Sequence, residues 1–195
     1  MLDIKDFIGQ GRHGDVLDGT ITGFRGATVT NCVIVSLRPN ASQTDKARFK
    51  EMANAAGLLS HQHVTKFIAM VVGGNPPGVV VEKHRSDLKV LLREAAPTEA
   101  QPAKISIANQ VRKLQEITQG LEYLESVNYA HDDLGSRSIM IADDGRLLVG
   151  TVSILRAAHG GDYYDDPRKG LLPVRWMAPE SLTTGLNDAH SMIWM

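Results

Sequence analysis

Three glycines within six residues, set between two extended segments, constrain this chain more than any other feature. Gly9-Gln10-Gly11-Arg12-His13-Gly14-Asp15-Val16 fits the pattern G-x-G-x-x-G-x-V. Glycine lets the backbone come close to a phosphate and turn its N–H groups toward it. The dinucleotide-binding form of this motif needs a helix directly after the glycines. Here Val16-Leu17-Asp18-Gly19-Thr20-Ile21 reads as a strand. The pattern therefore predicts a glycine loop inside a β-hairpin.

The rest of the chain supports a β-rich beginning and a helical continuation. Thr28 to Val35 is β-branched and apolar and reads as a buried strand. Lys46 to Leu59 places Phe49, Met52, Ala53, Ala56 and Leu59 on one helical face. Val79-Val80-Val81 is a short apolar strand leading into Glu82 to Ser86, a polar stretch read as a hinge between two lobes. Asp87 to Glu94 is predicted as a short helix, and Ala95 to Ala103 as a surface linker. Ile107, Val111, Leu114, Leu121 and Leu124 recur at helical spacing, which predicts a longer helix. Ile139 to Ile141 and Leu147 to Val149 flank Asp143-Asp144-Gly145 and read as a hairpin.

Composition excludes several classes. With 195 residues, 43% of them hydrophobic, the chain can bury a sizeable core. A net charge of −1 and no long basic run give no reason to expect nucleic acid as a partner. One cysteine, Cys32, leaves no internal disulfide framework and fits a reducing compartment. The charged start is not a signal peptide, and no apolar run reaches the roughly 20 residues that span a bilayer. Asn40-Ala41-Ser42 matches a glycosylation acceptor by letters, which chance explains in a cytosolic chain. His61-Gln62-His63 has the composition of a zinc site or of a packed turn.

Leu171-Leu172-Pro173-Val174-Arg175-Trp176-Met177-Ala178-Pro179-Glu180-Ser181-Leu182 resembles the end of a tyrosine-kinase activation segment. His131-Asp132-Asp133-Leu134-Gly135-Ser136-Arg137-Ser138 resembles the catalytic loop H-R-D-L-A-A-R-N. The resemblance is to the receptor-type tyrosine kinases of the insulin-receptor-related group, and it runs from Ile8 to about Trp194. It implies a bilobal α+β fold. Residues 1–84 would form a β-rich small lobe with the glycine loop, and residues 85–195 a helical large lobe. That large lobe stops soon after Pro179-Glu180, so the chain reads as a fragment or a truncated product.

The resemblance also says where each catalytic residue belongs. Gly9, Gly11, Gly14, Val16 and Val81 would line the nucleotide site. Asp133 stands at the catalytic base, and Arg137 at a position typical of tyrosine kinases. Other positions depart from the pattern. Val33-Ile34-Val35-Ser36 reads as the V-A-I-K strand, which puts Ile34 at the alanine and Ser36 at the lysine. Met52 takes the place of that lysine's glutamate partner. Losing both together avoids a half-buried pair, which costs roughly 3–5 kcal/mol. Asp132 replaces an arginine that pairs with phosphate, Ser138 replaces the Mg²⁺-binding asparagine, and Thr151 replaces the aspartate of D-F-G at Thr151-Val152-Ser153. Read outside this frame, His131-Asp132-Asp133 has metal-ligand composition, or is a solvated loop.

The expected function is that of a catalytically impaired pseudokinase, binding signalling proteins, an active kinase among them. ATP is a doubtful cofactor in this reading and no metal is expected, because Mg²⁺ wants charged oxygens. Two alternatives stay open: a weak ATP-dependent tyrosine kinase using Asp133 as base and Arg38 as substitute cation, and a sensor that binds ATP without chemistry. Tyr163 and Tyr164 resemble the paired tyrosines of receptor activation loops, and are either phosphorylation sites or exposed aromatics. The implied location is cytoplasmic, as the inner part of a membrane receptor, with no spanning segment in this chain.

Overall fold

The computed structural model describes residues 1–23, 26, 28–71, 73, 76–97, 105–152, 155–166 and 170–195. Most of the expected linker, 98–103, and Ser153 lie outside these residues. The chain forms two compact units that interleave in sequence. The first holds Met1–Ser60, Lys66–Lys83 and Thr151–Leu171; the second holds His61–Thr65, His84–Gly150 and Leu172–Met195. The mixed α+β class expected from the sequence is the class observed, with a β-rich first unit.

The first unit is built on a five-stranded antiparallel sheet. Its strands are β1 (Leu2–Gln10), β2 (Asp15–Thr22), β3 (Val29–Ser36), β4 (Phe67–Val71) and β5 (Gly78–Glu82), in the order β1-β2-β3-β5-β4. The β1–β2 hairpin carries the three glycines at its turn, as the strand pattern predicts. Helix α1 (Gln43–Gly57) starts three residues earlier than its apolar face suggested. The cause is a capping box. The Ser42 hydroxyl accepts the Asp45 N–H at 3.1 Å, and the Asp45 carboxylate accepts the Ser42 N–H at 3.2 Å.

Strand alternation sorts the sheet into two apolar faces. Val16, Val33, Val35, Leu37, Val79 and Val81 pack against Phe49, Ala53 and Ala56 of α1. Cys32, Ile34 and Val80 form a second cluster with Leu2, Leu17, Ile21 and Ile68 on the other face. Val152 joins the first cluster and Leu155 packs beside it, which is why the segment from Thr151 belongs to this unit.

The second unit centres on the three-stranded sheet of β6 (Ser86–Asp87), β7 (Ile139–Ile141) and β8 (Leu147–Val149). The expected hairpin is β7–β8, and Gly145 supplies the positive φ, 83°, that its turn requires. Asp87 caps α2 (Leu88–Glu94) by accepting the Val90 N–H at 3.0 Å. Helix α3 (Ile107–Ser126) lies close on the segment before β4. A Cβ on Gly120 would stand 2.5 Å from the His63 carbonyl oxygen. The apolar periodicity of α3 is only half used: Gly120 and Leu124 are buried, while Ile107, Val111 and Leu114 are exposed.

His61 and His63 serve packing in this unit. The His63 ring nitrogen Nδ1 lies 3.0 Å from the Leu147 carbonyl, and His61 stacks on Tyr123 with centroids 5.0 Å apart. After β9 (Tyr164–Asp166) and β10 (Gly170–Leu172), the chain ends in α4 (Pro179–Thr184) and α5 (Ala189–Trp194). Among the described residues no helix is long and apolar enough to cross a membrane.

Candidate functional site

The glycine hairpin of the first unit is folded down on its own framework. Gly11 donates its N–H to the Gly14 carbonyl at 2.8 Å, and Arg38 donates to the His13 carbonyl at 3.1 Å. A Cβ on Gly14 would meet the Ser36 carbonyl oxygen at 2.1 Å and the Arg38 nitrogen at 2.8 Å. That contact alone requires glycine there. Gly9 is less constrained, because a Cβ there would stand 3.4 Å from Cδ2 of Leu155. Leu155 precedes a 3₁₀ segment, Arg156–Asp162, that packs against β1.

His13, at the hairpin tip, turns inward and meets the Phe49 ring edge-on at 5.4 Å. Burial lowers its pKa to about 4, helped by the positive charges of Arg12, Arg156 and Arg38. The sequence reading passed over this residue. Three arginines acting on one turn are dispersed along the chain, and only the fold collects them.

Strand β3 turns its side chains alternately to the two faces of its sheet, and α1 packs on one of them. Met52 packs at the edge of the cluster that faces α1, and Glu51 beside it is exposed. Of β3, Val33, Val35 and Leu37 reach that face. Ile34 lies in the opposite cluster, and Ser36 alternates with it, its hydroxyl 3.4 Å from the Leu37 carbonyl. A β3 lysine that pairs with a helix glutamate must share the helix face. Val33 and Val35 therefore share the α1 face, and Ile34 and Ser36, the letter matches to the alanine and the lysine, do not. Val16 and Val81 are fully buried on the Val35 face, and Thr151 is half-buried before Val152.

The second unit carries the catalytic-loop sequence as a tightly bonded turn. His131 is buried, with Nε2 2.6 Å from the Gly150 carbonyl and Nδ1 accepting the Asp133 N–H at 3.1 Å. These two partners place the proton on Nε2. Asp133 and Arg137 are both 1% exposed, and the guanidinium lies 2.5 Å from the carboxylate. Arg137 also stacks over Trp176, 4.2 Å from the ring centroid. This stacking ties the loop to the Pro173–Glu180 stretch.

Ser138 has no exposed surface. Its hydroxyl accepts the Gly135 N–H at 3.0 Å and donates to the Gly135 carbonyl at 2.9 Å. Met192 is part of the core, and its sulfur accepts the His131 N–H at 3.1 Å. In the first unit Tyr163 is half-buried under the Arg156 guanidinium, 5.0 Å from its ring, and Tyr164 is 57% exposed. Among the described residues no group of three or more His, Cys, Asp or Glu side chains is arranged to hold a metal.

The family profile for "Protein tyrosine and serine/threonine kinase" matches residues 2–195. This chain belongs to that family. Among the proteins similar to it is the insulin-like growth factor 1 receptor of Bos taurus, 34% identical over 192 residues, covering 96% of this chain and 30% of the receptor. The insulin receptor-related protein of Mus musculus is 33% identical, with 96% and 15% covered. The putative insulin-like peptide receptor of Hydra vulgaris is also 33% identical, with 96% and 13% covered. The chain thus spans less than a third of the length of these relatives. The profile match agrees with the family that the activation-segment and catalytic-loop motifs indicated.

Proposed function

We propose that this kinase-family chain is impaired in phosphoryl transfer and acts as a pseudokinase, binding other signalling proteins. One observation carries the reading. On the face where a kinase holds its phosphate-binding lysine and that lysine's glutamate partner, Val35 and Met52 join one apolar cluster. Two more positions support it. Ser138 spends its hydroxyl on Gly135, and Thr151 offers no carboxylate. The residues at the family's metal positions therefore do not fit Mg²⁺, a hard cation that wants charged oxygens. Loss of that charge removes a large part of transition-state stabilisation.

By analogy with its receptor relatives, the domain would work on the cytoplasmic side of a membrane. An active kinase is a natural partner, and Tyr164 is the more accessible of the two tyrosines for phosphorylation in trans.

The test is transfer of labelled γ-phosphate from ATP to a tyrosine-containing polymer. The expected result is no transfer above that of Asp133→Asn. Transfer that disappears with Asp133→Asn sinks the proposal. A second reading, nucleotide binding without metal, draws on the charges of Arg12, Arg38 and Arg156 around the hairpin tip. It predicts ATP binding in EDTA that weakens with Arg38→Ala.

A further inference from the structure

The second unit contains a cleft of about 300 Å³ between α2, the first turns of α3 and the β7–β8 hairpin. Its apolar part comes from Leu91, Ile105 and Ile141. Arg85, Arg112 and Lys113 line it as well, against one carboxylate among the described residues, Glu94. The whole chain carries a net charge of −1, so this positive excess is local.

The side-chain contacts of Arg112 and Lys113 are to neutral groups. Arg85 is exposed, and its backbone N–H is bonded to the Ile141 carbonyl at 2.8 Å, which fixes it beside the apolar floor. Arg112 is exposed and reaches the Asn109 side-chain oxygen at 3.4 Å. Lys113 donates to the Gly145 carbonyl at 3.2 Å. None of these contacts neutralises a charge. Charges beside an apolar wall act in a lower dielectric than open solvent and are screened less by salt.

We propose that this cleft is a docking site for an acidic peptide segment with an aliphatic anchor. Two guanidinium forks suit carboxylates, which they grip through paired hydrogen bonds. The floor of leucine and isoleucine suits one or two aliphatic side chains, and the volume is at the small end of ligand sites. Among the described residues no aromatic side chain lines the cleft, so a nucleic acid would find no stacking platform there. None of the lining residues belongs to the catalytic loop. The site is therefore independent of whether the chain transfers phosphate.

The experiment uses the whole chain and a fluorescein-labelled decapeptide alternating glutamate and leucine, read by anisotropy at low salt. Saturable binding is expected, weakened about tenfold or more by Arg85→Glu with Arg112→Glu, which is about 1.4 kcal/mol. Decaglutamate should bind at least about tenfold more weakly than the mixed peptide. A lysine–leucine decapeptide should not bind. The proposal is overturned by no saturation at millimolar peptide, by equal binding to the charge-reversed variant, or by equal binding of decaglutamate or oligothymidylate. A thermal melt checks the variant's fold, and Arg85→Gln with Arg112→Gln serves as the milder pair if charge reversal unfolds it.

Discussion

Arg137 holds the Asp133 carboxylate from one side and the Trp176 ring from the other, with almost no surface left exposed. Removing it would leave a buried carboxylate without its cation. Arg137→Ala should therefore destabilise the chain by about 3–5 kcal/mol in urea unfolding. Arg137→Lys should recover only part of that, because lysine cannot both fork onto the carboxylate and stack on the indole. The same pair dictates how activity is probed: Asp133→Asn keeps an acceptor for the guanidinium, whereas Asp133→Ala removes it. His13 gives a pH prediction at the same scale. Burial, then the arginines, lower its pKa from 6.5 to about 4. A depressed pKa means that the unfolded chain takes up the proton first as pH falls. Its contribution is full above pH 6.5 and is lost toward pH 4. Between pH 7 and 5 the loss is on the order of 2 kcal/mol. Half-buried His84, also lowered to about 4 by desolvation, works in the same direction. Replacing His13 with phenylalanine should flatten the dependence of unfolding free energy on pH while keeping the contact with Phe49.

The glycine hairpin shows how one motif can carry two requirements. A methyl group at Gly14 would run into the backbone of Ser36 and Arg38, which cannot step aside. At Gly9 it would touch only the end of a leucine side chain. Gly14→Ala is thus expected to cost about 1–3 kcal/mol, typical of overpacking. Gly9→Ala should stay within about 0.5 kcal/mol, typical of tolerated substitutions. Urea denaturation of the two variants compares them directly, and equal losses would mean that the close approach at Gly14 is not what holds the hairpin. The position of this hairpin was legible in the sequence, because three glycines between extended runs leave few alternatives. The face of β3 was not legible in the same way. Alternation in Cys32-Val33-Ile34-Val35-Ser36 separates two sets of side chains, but both sets are apolar and both are buried. A letter match to a kinase pattern carries no information about the face, and a shift of one residue moves every side chain to the other one. Phe49, Ala53 and Ala56 of α1 decide between the faces, and only the folded sheet brings them to β3.

At the scale of the whole molecule, the tail of the catalytic loop and the activation-segment end were readable because their spacings are short and specific. The return of Thr151–Leu171 to the first unit was not, since it depends on Val152 and Leu155 packing into a core whose other residues run from Val16 to Val81. That return bears on nucleotide binding. Leu155 packs in the same core and lies close to Gly9, and Arg156 acts on His13, so the glycine hairpin already rests on its own chain. A thermal melt with ATP, with and without Mg²⁺, tests what this arrangement permits. A ligand present at a hundred times its dissociation constant stabilises by about 2.7 kcal/mol. For a chain of this length that is a rise of about 5–10 °C. With Ser138 bonded to Gly135 and Thr151 in place of a carboxylate, Mg²⁺ should add nothing to whatever ATP does alone. A rise in EDTA that vanishes with Arg38→Ala would favour binding through the arginines of the hairpin tip. A rise seen only with Mg²⁺ would mean that a carboxylate outside the family positions holds the metal, and the impaired-kinase reading would fall with it.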